Sequence, residues 1–129
     1  MREGWHRGGR AALNRTFVPL ALKDSADYYR KFWELFNAEK FFEAHEALEI
    51  LWHQTSEPDR EFYQGLIQIA AAFVHIQKQT PDGARQLFKR ASEKLVKFPP
   101  VFMGLEIPEF LEQTRRALET KAAFPKVKI

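Results

Sequence analysis

The spacing of apolar residues divides the chain into five helical stretches. Tyr28, Phe32, Leu35 and Phe36 recur at helical intervals after Asp24 and Ser25, both good capping types, and predict a helix to about Asn37. A second helix is expected from about Glu39 to Gln54. The segment SEPD then breaks the pattern, with Pro58 suited to a first helical turn. A long third helix is expected from about Asp59 to Gln79. Thr80-Pro81-Asp82 combines a capping residue, a proline and an acid, and starts a fourth helix that must stop before Pro99-Pro100, near Phe98. An apolar loop, VFMGLEI, leads to Pro108 and a fifth helix to about Ala122. No stretch alternates with period two, so no sheet is expected.

These elements give an all-α fold, a compact bundle of about five helices in antiparallel hairpins. Residues 1–23 read as an extended basic arm, with Phe17, Val18, Leu20 and Leu22 laid on the body. Residues 24–122 form the helical domain, and residues 123–129 a tail. At an offset of 40 residues the chain echoes itself: Ala44, Leu48 and Leu51 match Ala84, Phe88 and Ala91, and Phe32 and Phe36 match Ala72 and Ile76. That is the layout of a helical-hairpin repeat of the tetratricopeptide type. A plain five-helix bundle would show similar echoes.

Projected at about 100° per residue, the second helix buries Leu51, Ala44, Thr55, Leu48, Phe41 and Trp52. His45 falls on the border of that face. Glu49, His53 and Glu46 follow beyond it, so His45, Glu49 and His53 stand one above another beside the core. The third helix is apolar around most of its circumference and is expected to be central. Its polar residues Gln64, Gln68 and His75 share one column. Antiparallel packing across the short SEPD turn would bring the two polar columns together. The expected pocket holds His45, Glu46, Glu49, Gln64, Gln68 and His75, with Trp52 at its edge.

Imidazole and carboxylate one helical turn apart can share a divalent metal such as Zn²⁺, Mn²⁺ or Fe²⁺, with further ligands from a second helix. His75 is the nitrogen available there, so His45, Glu49 and His75 are the candidate ligands. A Glu in an apolar pocket can also serve as a general base, which would make the protein a hydrolase-like enzyme. Neither motif is complete. HEALE lacks the second His of HExxH, and Glu46-Ala47-Leu48-Glu49 lacks the His of the di-iron bundle pattern. The competing structural reading is a hydrogen-bonded packing histidine and an i, i+4 pair along one helix.

Composition narrows the setting. The 129 residues contain no Cys, which removes disulfides, thiolate metal ligands and cysteine nucleophiles and fits a reducing cytoplasm. No apolar run approaches the roughly 18 residues needed to span a membrane, and no apolar h-region of a secretory signal follows the basic N-terminus. Net charge is only +3 but is unevenly placed. Residues 32–63 carry two bases against eight acids, between two basic segments. Arg2, Arg7, Arg10 and Arg15, with Arg85, Lys89, Arg90, Lys94 and Lys97, raise nucleic acid as a partner. On the fourth helix, however, those charges spread opposite a compact apolar arc, the look of a solvated face.

The blocks HEALEILW, YQGLIQIAAAFVH and PDGARQLFKRASEKL, spanning about residues 28–97, resemble the bacterial and archaeal family catalogued as domain of unknown function 309. The pattern falls on His45, Glu46, Glu49 and Trp52; on Gln64, Gly65, Leu66, Ile67, Gln68, Ala70, Ala71 and His75; and on Gly83 and Ala84. His53 stands outside it. The resemblance implies a compact all-helical fold and brings no activity, cofactor or catalytic residue. The functional expectation is therefore a small cytoplasmic module that binds a protein, a second copy of itself or a small ligand. Metal-dependent catalysis is the alternative and nucleic-acid association a further one.

Overall fold

The computed structural model describes residues 25–121 and 123–129. The expected arm, with Phe17, Val18, Leu20 and Leu22, and the capping residue Asp24 lie outside the described residues. Helices α1 (Ser25–Asn37), α2 (Phe41–Gln54), α3 (Asp59–Gln77), α4 (Pro81–Leu95) and α5 (Ile107–Thr120) follow in order, within about three residues of the predicted stretches. The apolar loop before α5 is a correction to the sheet-free expectation. It forms a minimal antiparallel hairpin, β1 (Val101–Phe102) and β2 (Leu105–Glu106), with Val101 opposite Glu106 and Phe102 opposite Leu105. Strands of two residues are too short for alternation to show. The signal is instead the turn, Met103-Gly104, where both residues take positive φ, 50° and 78°.

The helices pack in chain order, α1 on α2, α2 on α3 and α3 on α4, with α5 across α4 and α3. Gly65 sets the α3–α4 spacing: a Cβ there would stand 2.9 Å from the Leu95 side chain. The centre of the core is aromatic. Phe36 meets Phe41 at 5.1 Å, Phe73 at 5.8 Å and Phe110 at 5.8 Å between ring centroids. Each such ring, fully buried, contributes about 1.5–3 kcal/mol.

The 40-residue echo has a backbone counterpart. At the end of α1, Glu39 N–H donates to Phe36 C=O and Lys40 N–H to Leu35 C=O, each at 2.9 Å. At the end of α3, Gln79 N–H donates to Ile76 C=O at 3.0 Å and Thr80 N–H to His75 C=O at 2.8 Å. Glu39 and Gln79 are both left-handed, φ 61° and 63°. This is one Schellman closure made twice. The two hairpins, α1–α2 and α3–α4, therefore turn in the same way. Ala44 and Ala84 follow as matched, fully buried contacts.

The tail straps the bundle. Phe124 lies 5.0 Å from both Phe41 and Phe73. The Asn37 carboxamide pairs with a peptide group of the strap: Nδ2 donates to Val127 C=O at 2.7 Å, and Oδ1 accepts from Val127 N–H at 2.8 Å. Lys126 donates to Asn37 C=O at 2.9 Å and to the Glu39 carboxylate at 2.7 Å.

Candidate functional site

Helix α2 is enclosed on more of its circumference than a two-sided wheel allows. Phe41, Ala44, Leu48 and Leu51 are buried as expected, Trp52 and Thr55 are only half-buried, and Ala47, His45, Glu46 and Glu49 are buried as well. His45 and Glu49 are 0% exposed and Glu46 is 4% exposed. The expectation that Glu46 and Glu49 stand outside the core is thus corrected: both carboxyls sit inside it. His53, the residue outside the family pattern, is exposed, with its ring 4.8 Å from that of Trp52.

The imidazole is oriented by its own helix. Its Nδ1 lies 3.3 Å from Phe42 C=O. A main-chain carbonyl only accepts, so Nδ1 carries the hydrogen and Nε2 faces the next turn. There Glu49 Oε2 stands 3.8 Å from Nε2. The pKa of the other buried acid, Glu46, is pushed up to about 7, first by burial and then by the neighbouring charge of Glu43. One turn beyond Glu49, the Trp52 ring lies under the guanidinium of Arg60, 4.2 Å from its centroid. Arg60 was not singled out by sequence reasoning. Its signal was available, since it begins the polar column that continues through Gln64. Glu46 Oε2, Trp52 Nε1 and Arg60 Nε are buried with no hydrogen-bond partner among the described residues.

Two of the remaining candidates, Gln68 and His75, are engaged with groups outside α2. Gln68 is buried against α4 and accepts from Lys94 Nζ at 3.1 Å. Gln64 is half-buried on α3. His75 belongs to the α3–α4 turn. Its Nδ1 meets Thr80 Oγ1 at 2.8 Å, and that hydroxyl donates to His75 C=O at 3.0 Å. Thr80 therefore ties α3 shut; no side-chain hydrogen bond caps α4. Burial, aided by Lys78, holds the His75 pKa below the usual imidazole range. The expected metal set of His45, Glu49 and His75 is not assembled, and no group of three His, Asp or Glu that could hold a metal ion occurs among the described residues. Two adjacent donors, His45 and Glu49, do not by themselves fit a stable metal centre.

The fold and this face define a small helical-hairpin domain carrying ionisable groups in its interior. Residues 29–87 match the sequence model of the family described as Domain of unknown function (DUF309). An uncharacterized protein from Aquifex aeolicus (strain VF5) is 26% identical over 110 residues, which cover 84% of this chain and 33% of the relative. The chain thus spans about a third of the length of the curated relative it matches. No solved structure matches the chain.

The geometry also sorts the family blocks by role. Gly65 admits α4, His75 and Gly83 form the α3–α4 turn, and Gln68 ties α3 to Lys94. His45, Glu46 and Glu49 are the ionisable members of the pattern that lie buried on α2.

Proposed function

We propose that this is a binding module whose working surface is the His45–Glu46–Glu49 face of α2, with Trp52 and Arg60 at one end. The observation that carries the reading is the burial of three ionisable side chains on a single helix. Well-packed apolar residues at such positions are commonly neutral or stabilising replacements, so stability alone gives no reason for acids there. Buried carboxyls, one of them lacking a hydrogen-bond partner among the described residues, suit a ligand that donates: an ammonium or guanidinium group of a small molecule or of a protein partner. The face is closed in this conformation, and binding is coupled to its opening. No described helix is long and apolar enough to cross a membrane; a cytoplasmic setting, from the absence of Cys, is part of this proposal.

The test is affinity capture from the host with the full chain, run beside Glu46→Gln and Glu49→Gln chains. A ligand or protein held by the parent and lost by both variants supports the reading; equal retention by all three removes it. A second reading is favoured by Glu46 alone. A carboxyl titrating near 7 is matched to general-base work at neutral pH. For that reading, a turnover found for the parent should vanish in Glu46→Gln and survive in part in Glu46→Asp.

A further inference from the structure

The two ends of the α2 face have opposite chemical needs, and together they define its ligand more closely; this inference rests on the binding reading above. At one end the buried Glu46 Oε2 has no hydrogen-bond partner among the described residues. At the other, two donors, Trp52 Nε1–H and Arg60 Nε–H, are left in the same condition. These donors are neighbours, because the Arg60 guanidinium lies over the Trp52 ring at 4.2 Å. Stacking on an aromatic ring engages the flat face of a guanidinium and leaves its in-plane N–H groups to other partners. One ligand can satisfy all three atoms: a cation on the carboxylate and an anionic oxygen on the two donors.

The helix sets the spacing. Glu46 and Trp52 are six residues apart on α2, a rise of about 9 Å. With a hydrogen bond added at each end, an extended arginine or lysine spans that separation between its carboxylate and its side-chain cation. The surrounding charge requires both ends at once. Glu43, exposed on α2 one turn before Glu46, adds a second negative charge where the cation sits. Near Arg60, Glu61 is paired with Lys97 at 2.8 Å, but Glu57 and Asp59 are exposed on either side. An anion alone is repelled from that acid-rich stretch, whereas a zwitterion arrives with its own positive charge.

We propose that the ligand of this face is arginine or lysine, free or as the C-terminal residue of a peptide, with its side-chain cation on Glu46 and its carboxylate on Trp52 Nε1 and Arg60 Nε. The test titrates the full chain with N-acetyl-L-arginine, which carries both charges, with its amide, which lacks the anion, and with N-acetyl-L-citrulline, which keeps the shape and lacks the cation. The first should saturate at one per chain, and each of the others should bind about tenfold more weakly or worse. Trp52→Phe keeps a ring and removes Nε1–H; Arg60→Lys keeps the charge and removes Nε–H. Each should weaken N-acetyl-L-arginine about tenfold and leave its amide unchanged, while Glu46→Gln should weaken both ligands. Free L-arginine separates the two sources: affinity at least equal to that of the acetylated form marks the amino acid, and weaker affinity marks a peptide end. The proposal is overturned if N-acetyl-L-arginine does not saturate, if it and its amide bind equally, or if the Trp52 and Arg60 variants weaken both alike. Equal binding of the two that is lost in Glu46→Gln would remove the anionic end and leave the cation-binding reading of the face standing. Binding of neither overturns the proposal, and affinity capture with the Glu46→Gln and Glu49→Gln chains then decides the wider reading separately.

Discussion

The imidazole of His75 packs on Gly83 so closely that a Cβ at Gly83 would stand 2.7 Å from Nδ1. That same Nδ1 meets the Thr80 hydroxyl at 2.8 Å, so the ring has little room to retreat. Gly83→Ala should cost about 1–3 kcal/mol in chemical denaturation, the usual penalty of overpacking. In a His75→Ala background the clash is gone and the sign should reverse. Alanine then gains up to about 1 kcal/mol as the better helix former. A Gly83→Ala effect of the same size in both backgrounds would separate the two residues energetically and defeat this account.

The paired Schellman closures make a second prediction. Gln79 holds φ 63°, a conformation that costs a side-chain-bearing residue roughly 1 kcal/mol and glycine little. Gln79→Gly should raise the thermal midpoint by several degrees, consistent with a gain of about 0.5–1 kcal/mol in a domain of this size. Glu39→Gly, 40 residues earlier, should gain less, because it also removes the carboxylate that receives Lys126 at 2.7 Å. That ion pair is exposed and worth only a few tenths of a kcal/mol. A loss at Gln79 would show that its side chain has a role the turn geometry does not explain.

The helices were legible because their signals are local. Pro58 and Pro81 mark starts, Pro99-Pro100 a stop, and the apolar spacing of α1 and α3 survives any neighbour. The repeat offset was legible for the same reason, though its shared feature, a left-handed Glu39 and Gln79, falls on residues whose type does not advertise it. The site was half legible. A wheel separates residues toward one neighbour from residues away from it, and α2 is enclosed beyond that, so Glu46 and Glu49 were placed outside a core that contains them. Gln68 and His75 were misassigned because column membership says nothing about which adjoining helix takes the side chain. α4 took both, through Lys94 and through Thr80 and Gly83. The β1–β2 hairpin and the strap were not legible, since two-residue strands and a single Asn–peptide pair leave no period.

The strap yields a third prediction. In Asn37→Asp the donor to Val127 C=O is replaced by a second acceptor, so two oxygens would face each other where a 2.7 Å hydrogen bond stands. Losing the bond and leaving an acceptor partly buried costs about 1–3 kcal/mol. Because Phe124 still anchors the strap between Phe41 and Phe73, the effect should concentrate beyond it. Trypsin should cleave after Lys126 and Lys128 faster in the variant, with cleavage in α4, after Arg85, Lys89, Arg90 and Lys94, unchanged. Uniformly faster cleavage throughout the chain would mean that Asn37 supports the whole bundle rather than the strap.

Glu46 provides the pH-dependent test of the α2 face. Burial, reinforced by Glu43, raises its carboxyl from 4.5 to about 7 in the folded chain. The folded state therefore holds this proton more tightly than the unfolded state does. Between about pH 4.5 and 7 the folded state binds more protons, so stability falls as pH rises through that window and levels off above it. The full shift corresponds to a loss on the order of 3 kcal/mol. Glu46→Gln keeps the shape, removes the titration and should flatten the curve. Parent and variant should have similar urea midpoints at pH 5, and the variant should be the more stable at pH 8. Other titrating groups are common to both chains and cancel in the difference. A ligand bearing an ammonium or guanidinium group on this face would ionise Glu46 at lower pH, so its addition should shrink the gap between parent and variant at pH 8 by stabilising the parent alone. Parallel pH curves for the two chains would show that Glu46 ionises like a surface carboxylate, and the buried face would lose the group on which its binding chemistry depends.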